Sequence, residues 1–207
     1  MLVIGLTGGI GTGKSQVSRT LEALGAEIVN ADLLGHEAYR PNTEPWQEII
    51  ETFGQHVLAP GGEVDRKALG AVVFSDPKAL ERLNAIVHPP IHRMVQARIA
   101  ESAAAGRTVL VVEAAVLLEA NWTDLVDEVW VTSSSEDRVV PRLLSRGLDE
   151  EAALRRIRSQ MGQSERERHA DALIENDGTL EDLEERVRDL WNRRVVDDRS
   201  RERRSKR

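Results

Sequence analysis

The segment Gly8-Gly9-Ile10-Gly11-Thr12-Gly13-Lys14-Ser15 matches the pattern G-x-x-x-x-G-K-[ST] in the setting that this pattern requires. The apolar run of residues 2–7 before it is typical of a buried strand, and Val17, Leu21 and Leu24 after it recur at helical spacing. Glycines let a backbone wrap an anion with its N–H groups pointing inward, and a helix start adds the positive end of its dipole. The segment is therefore predicted to be a phosphate-binding loop between a strand and a helix.

The loop motif also gives individual residues a role. Lys14 is expected to reach the β- and γ-phosphates of a nucleoside triphosphate, and Ser15 to ligate Mg²⁺. The alternative is an ordinary glycine-rich turn with Lys14 in solvent, but the four glycines, the Lys-Ser pair and the flanking elements argue against it. The chain is predicted to bind a nucleoside triphosphate.

Size and composition fit one globular domain with a substantial core, since the chain has 207 residues of which 41% are hydrophobic. No apolar run approaches a membrane span, and the chain enters its first strand with no room for a signal peptide. There are no cysteines, which excludes disulfides, thiolate metal sites and cysteine nucleophiles. A cytoplasmic setting is expected.

The charge is unevenly distributed. The net charge is −7, yet residues 196–207 carry a local +3, which leaves −10 on the rest of the chain. An acidic body argues against general nucleic-acid binding, so neither nucleic acid nor membrane is expected as a partner. Residues 196–207 are predicted to be a disordered basic tail and are assigned no role.

Strands alternate with helices along the chain, which predicts an α/β fold of the P-loop NTPase class, a parallel sheet of about five strands with helices on both faces. No convincing strand lies between Asp32 and Gly106, so this stretch is predicted to be a helical insertion, with one helix ending at His88-Pro89-Pro90. The predicted division of one domain, residues 1–195, is a core (1–32, 107–135 and 164–195), a substrate-binding insertion (33–106) and a helical lid (136–163).

Among P-loop proteins, the residues favour a small-molecule kinase. A GTPase would need Asn-Lys-x-Asp, which is absent, and a motor ATPase usually needs a longer chain. Asp32, just past the second strand, is the best candidate base for an acceptor hydroxyl, although it could equally be the N-cap of the next helix. Glu113 ends the central strand, where an acid often holds Mg²⁺ directly or through water, and it is counted among the substrate-binding residues; the alternative is a solvent-facing carboxylate.

Residues 138–158 are dense in arginine, and the two predicted helices there resemble a lid that brings cations to phosphates. For any single arginine a solvated helix face is the commoner role. The arginines of this segment are Arg138, Arg142, Arg146, Arg155, Arg156 and Arg158.

The histidines show no metal-ligand spacing, so no zinc site is predicted.

Several segments in order resemble the dephospho-CoA kinase family, over about residues 3–195. GLTGGIGTGKS (5–15) is close to that family's GLTGGIGSGKS, and VNAD (29–32) resembles its I-D-A-D. LNAIVHP (83–89), RIRSQ (156–160) and IENDG (174–178) match L-N-x-I-x-H-P, R-I-x-x-Q and I-x-N-x-G. AAVLLEA (114–120) is similar to the kinase half of animal bifunctional CoA synthase.

The resemblance implies ATP-dependent phosphorylation of the 3′-hydroxyl of dephospho-CoA, with ATP and dephospho-CoA as partners and Mg²⁺ as cofactor. It implies that Asp32 is the base, that the insertion including His88 lines the acceptor pocket, and that Arg142 and Arg156 act from the lid. The implied nucleotide-binding residues are Gly8, Gly11, Thr12, Gly13, Lys14, Ser15 and Gln16 at the phosphates, and Asn176 and Gly178 near the adenine.

The chain departs from the family pattern at three places. Asn30 replaces the first Asp of D-A-D, Gly35-His36 replaces Ala-Arg, and the turn Arg146-Gly147-Leu148 is one residue shorter than R-D-G-L. Two alternatives stay open: a nucleoside or nucleotide kinase, against which the order of motifs argues, and a nucleotide-binding switch without catalysis, against which Asp32 and Lys14 argue.

Overall fold

The computed structural model describes residues 1–73 and 75–197. Phe74, predicted to end a helix, and the part of the predicted tail beyond residue 197 lie outside the described residues. The strands are β1 (Leu2–Gly8), β2 (Glu27–Asn30), β3 (Val109–Glu113), β4 (Glu128–Ser133) and β5 (Ala172–Glu175). The α-helices are α1 (Lys14–Ala23), α2 (Ala31–Ala38), α3 (Glu44–Phe53), α4 (Arg66–Val73), α5 (Pro77–Ala104), α6 (Glu136–Leu144), α7 (Glu150–Arg158), α8 (Gln163–Glu167) and α9 (Leu180–Trp191).

The strands form one parallel sheet in the order β2-β3-β1-β4-β5, which confirms the predicted fold class. Leu6 near the end of β1 pairs with Glu113 at the end of β3, and Gly8 pairs with Thr132 of β4. Carboxyl ends of parallel strands share one edge of the sheet, and that edge is where open α/β sheets bind ligands. The loop after β1, Glu113 and the end of β4 therefore meet there.

One face of the sheet packs against α1 and α9. Side chains alternate along a strand, so Ile4 and Leu6 of β1 point to this face, where they meet Val17 and Leu21 of α1. Each of these four side chains is fully buried. Burying such a side chain stabilises the fold by about 1.5–3 kcal/mol, so this layer holds the start of α1 firmly against the sheet.

On β1 itself, Gly5 leaves room for the segment that follows β3. A Cβ atom at Gly5 would lie 2.7 Å from Cδ2 of Leu117 and 3.1 Å from Cγ2 of Val126. Leu117 is fully buried, so the chain between β3 and β4 lies directly against the sheet. A larger residue at position 5 would displace this segment.

The chain divides into two compact units, one of Met1–Val29 with the chain from Glu101 onward, the other Asn30–Ala100. Within the second unit, side chains cap the helices in the expected way. The Asn30 side chain accepts a hydrogen bond from Leu33 N (3.0 Å), and that of Asp65 accepts from Lys67 N (2.9 Å). Gly35 of α2 lies close to α5, since a Cβ there would approach Ile91 Cδ1 to 3.4 Å.

The predicted helix break at His88-Pro89-Pro90 is wrong, because α5 continues through both prolines. Proline removes an N–H donor and crowds the preceding turn, which normally ends or bends a helix. Here Val87, Ile91 and Val95 recur every four residues and are all buried. This apolar face spans the prolines, so packing outweighs the local cost.

The two helices predicted within residues 138–158 are present as α6 and α7. Helix α7 ends at Arg158, and the short helix α8 that follows it was not predicted. Its sequence, QSERE, is too short and too polar to show a helical apolar pattern. Over residues 1–73 and 75–197, no helix is both long and apolar enough to cross a membrane.

Candidate active site

The loop between β1 and α1 has the backbone that its glycines predict. Gly8, Gly11 and Gly13 have φ angles of 153°, 77° and 106°, which other residues rarely adopt. A Cβ at Gly8 would lie 2.0 Å from Thr132 Oγ1, and one at Gly13 would lie 2.3 Å from Asn176 Nδ2. Helix α1 begins at Lys14 with no side chain capping it, so its first turn presents N–H groups that suit an anion.

Lys14 folds back over this loop. Its Nζ donates to Gly8 O at 2.7 Å and lies 3.4 Å from Gly9 O. The ammonium therefore lies at the Gly8–Gly9 end of the loop, and these carbonyls hold it there. The positive charge of Lys14 is therefore already positioned to bind a phosphate in the loop.

Side chains from β4 and from the turn after β5 form hydrogen bonds with the phosphate loop. The hydroxyls of Thr12 and Thr132 lie 2.6 Å apart, and Asn176 Nδ2 donates to Thr12 O at 2.9 Å. All three residues are buried. The structure thus places Asn176, predicted near the adenine, in direct contact with the phosphate loop.

The Arg142 guanidinium joins the same network from α6. It donates to Asn176 O (2.8 Å), to Ser134 Oγ (3.1 Å) and to Gly11 O (3.2 Å). Arg142 thus connects the predicted lid to the loop through carbonyl and hydroxyl oxygens. Arg156 on α7 is exposed.

Asp177 fixes the turn that follows β4. Its Oδ1 accepts from Ser135 N and from Ser134 Oγ, each at 2.8 Å. These bonds, above all that from the backbone N–H, lower the pKa of the Asp177 carboxyl, which therefore stays ionised. Gly178 next to it has no space for a side chain, because a Cβ would lie 2.5 Å from Asp182 Oδ2 in the capping box of α9.

Glu113 and Ser15 are the predicted acid and hydroxyl for Mg²⁺. Glu113 is buried and accepts from Ser18 Oγ at 2.7 Å, so it is not a solvent-facing carboxylate. Ser15 is exposed in the first turn of α1. Both offer the oxygen ligands that Mg²⁺ prefers, directly or through water, so these residues fit the ion. In the described part of the chain, no cluster of three or more His, Asp or Glu side chains suited to a metal occurs.

A cleft of about 480 Å³ opens beside the loop and is walled by the predicted lid. Gly9, Ile10 and Thr12 line one side, while Arg158 and Gln160 are among the residues on the other. Gln160 Oε1 accepts a hydrogen bond from Ile10 N at 2.8 Å. At the opposite end of the loop, Gln16 Nε2 donates to Glu184 Oε1 at 3.2 Å.

Asp32 and His88 lie in the second unit. Asp32 is exposed in the first turn of α2, and the cap of this helix is Asn30, so the N-cap interpretation of Asp32 is wrong. Nearby, burial and the charge of Arg66 lower the pKa of His36, against an opposing effect of Asp32. Burial also lowers the pKa of His88.

Arg166 of α8, which was not predicted from the sequence, has a fully buried side chain. Its Nη2 donates to Glu119 Oε1 at 2.9 Å, and its Nη1 to Ala115 O at 3.4 Å. The residue stands in the charged run SERER, which has the pattern of a solvated helix, so no signal in the sequence distinguishes it. The hydrogen bonds of Arg166 connect the segment after β3 with the segment that follows the predicted lid.

A family model described as dephospho-CoA kinase (CoaE) matches residues 2–182. The chain belongs to this family. A dephospho-CoA kinase of Geobacter sulfurreducens is 45% identical over 195 residues, which cover 94% of this chain and 99% of that protein. One from Carboxydothermus hydrogenoformans is 39% identical, covering 89% of this chain and 90% of that protein.

Two solved structures have the same fold as this chain. A protein from Thermus thermophilus has a TM-score of 0.79 at 31% identity and covers 94% of this chain and 98% of its own. The fold is also that of a dephospho-CoA kinase from Campylobacter jejuni, with a TM-score of 0.68 at 24% identity, covering 91% of this chain and 94% of that one. The resemblance drawn from the motifs is confirmed.

Proposed function

We propose that this chain transfers the γ-phosphoryl group of ATP to the 3′-hydroxyl of dephospho-CoA, giving CoA and ADP. The observation that supports this most is the phosphate loop, with Lys14 already held over it, in a chain that matches the dephospho-CoA kinase family over residues 2–182. The acceptor oxygen forms a bond to the γ-phosphorus, the bond from that phosphorus to the bridging oxygen breaks, and ADP leaves. The hydroxyl proton passes to a carboxylate.

That carboxylate is proposed to be Asp32. Two findings support it: Asp32 follows the carboxyl end of β2, and Asn30 has taken the capping role, which leaves the Asp32 side chain exposed. A carboxylate in this position can accept the proton or orient the hydroxyl in line with the γ-phosphate. His88 is proposed to line the acceptor pocket as a neutral imidazole, since burial lowers its pKa.

The phosphates are proposed to be held by residues Gly11 to Gln16 of the loop, including the Lys14 ammonium. Arg156, which is exposed on α7, is proposed to supply charge to the transferred group. Arg142 adds a positive charge beside Gly11, and its bonds to the Asn176 turn join the phosphate loop to the expected adenine site at Asn176 and Gly178. Ser15 and Glu113 would hold Mg²⁺, directly or through water, and the bound ion would supply positive charge to the phosphates.

The acceptor is tested by measuring ADP release from Mg-ATP with dephospho-CoA, with nucleosides and with nucleoside monophosphates at equal concentration. We expect ADP release with dephospho-CoA and not with the other acceptors. Release with a nucleoside or a nucleotide instead would make the chain a different small-molecule kinase. ATP binding with no release for any acceptor would indicate a switch without catalysis. The cytoplasmic location stays a prediction, which cell fractionation would check.

The base is tested with Asp32→Asn, which removes the charge at constant size. We expect kcat to fall by at least about 10², the scale of a general base, while ATP affinity is kept. Glu37→Gln on the same helix is the matched control and should leave kcat unchanged; its side chain is ion-paired with Arg40 and 39% exposed. A near-normal kcat for Asp32→Asn would remove Asp32 from the mechanism.

A further inference from the structure

The side-chain amide of Gln160 has one defined orientation. The atom that faces Ile10 N at 2.8 Å must be the oxygen, because a backbone N–H can only donate. The Nε2 group therefore lies on the other branch of the amide. It has two N–H donors, and within residues 1–73 and 75–197 neither donor has a hydrogen-bond acceptor. Gln160 lines the cleft beside the loop.

Gln160 meets the loop at the end where Lys14 Nζ lies. Lys14 Nζ contacts the carbonyl oxygens of Gly8 and Gly9, the two residues before Ile10. A Cβ at Gly9 would lie 3.7 Å from Gln160 Oε1, so the amide also lies against Gly9. Because the P-loop lysine reaches the β- and γ-phosphates, this end of the loop faces the terminal phosphate.

We infer that Gln160 binds the γ-phosphoryl group of ATP through Nε2, with its Oε1 held in place by the N–H of Ile10. The inference rests on the proposed use of ATP as phosphoryl donor. The position requires an acceptor toward the loop and a donor toward the phosphate, and a glutamine amide supplies both. Glutamate would keep the acceptor but repel the phosphate, and arginine would have no acceptor.

The test compares the affinity for ADP with that for the imido analogue of ATP, by calorimetry with Mg²⁺, in the wild type and in variants. Gln160→Met keeps the length of the side chain and removes both functions. It should weaken the ATP analogue about tenfold or more and weaken ADP much less, because hydrogen bonds to charged groups contribute on this scale. Gln160→Glu restores the acceptor for Ile10 and should weaken the ATP analogue further still.

Gln163→Met is the matched control, since Gln163 lines the same cleft but donates to Glu167 Oε1 at 2.9 Å. It should not change the ratio of the two affinities. If Gln160 only braces the loop, Gln160→Met will weaken ADP and the ATP analogue equally and Gln160→Glu will restore both; either result overturns the inference. If Gln160→Met does not fold, as its melting curve would show, Gln160→Glu alone decides between the two.

This test is independent of the acceptor. A wild type that binds the ATP analogue but makes no CoA would refute the proposed function, while the affinity ratio of Gln160→Met would still report on the γ-phosphate contact. A wild type that binds CoA precursors but no ATP analogue would overturn the inference itself. The two failures are therefore distinguishable.

Discussion

Replacing Glu119 with alanine should destabilise the protein far more than an ordinary surface mutation. Glu119 is the carboxylate partner of Arg166, whose side chain is fully buried. Without it, the guanidinium keeps only the carbonyls of Ala115 and Met161, at 3.4 and 3.3 Å, and its Nε already lacks a hydrogen-bond partner among the described residues. An uncompensated buried charge would remain.

Breaking a buried ion pair by removing one partner costs about 3–5 kcal/mol. The Glu119 side chain is 29% exposed, so water can partly replace it, and we expect the free energy of unfolding to fall by ~2–3 kcal/mol. With a urea dependence of ~2–3 kcal/mol per molar, the unfolding midpoint should fall by about 1 M. Tryptophan fluorescence can follow the transition, since Trp130 and Trp191 are buried in the core.

The control is Glu175→Ala, which removes a surface partner of Arg186; the two side chains are 65% and 49% exposed. Such pairs contribute ~0–1 kcal/mol, so its midpoint should hardly move. The double variant Glu119→Ala/Arg166→Met removes the buried charge as well and should be more stable than Glu119→Ala alone. A Glu119→Ala protein as stable as the control, or a double variant less stable than Glu119→Ala, would refute the reasoning.

Three further outcomes are expected. Asn176→Asp exchanges the donor to Thr12 O for a carboxylate oxygen and should weaken ATP binding about tenfold or more, which a nucleotide titration would detect. Gly8→Ala should abolish ATP binding because its Cβ would lie 2.0 Å from a threonine oxygen, whereas Gly9→Ala should keep it because its Cβ would lie 3.6 Å from Thr12 Cγ2, an ordinary contact distance. The lowered pKa of His88 means that the unfolded chain binds more protons just below pH ~6.5, so stability should fall there with decreasing pH, and His88→Gln should flatten that slope in urea titrations at several pH values.

The sheet was predictable because its central strands are buried on both faces. Such strands are continuous apolar runs, as in residues 109–112, and they stand out from amphipathic helices. Helix starts were predictable where one side chain caps the backbone locally, as Thr179 does for α9. The phosphate loop was predictable because positive φ angles require glycine at Gly11 and Gly13.

What escaped prediction depends on contacts between distant residues. The continuity of α5 through Pro89 and Pro90 rests on its buried face, which a local proline rule does not include. Arg166 pairs with Glu119, 47 residues away, and Gln160 meets Ile10 across 150 residues. No pattern of residue spacing in the sequence indicates such long-range contacts. The sequence offers Asp32 as a candidate N-cap of α2, and Asn30 stands out only because it replaces the first Asp of the family pattern. The cap in the structure is Asn30.

The most direct test of the account is to locate the phosphate on the product. The protein would be incubated with Mg-ATP and dephospho-CoA, and the product analysed by mass spectrometry and ³¹P NMR. The account predicts one added phosphate, attached to the ribose 3′-oxygen, and at least about 10²-fold less of this product with Asp32→Asn over the same time. A phosphate at another position, or an unphosphorylated acceptor with ATP bound, would contradict it.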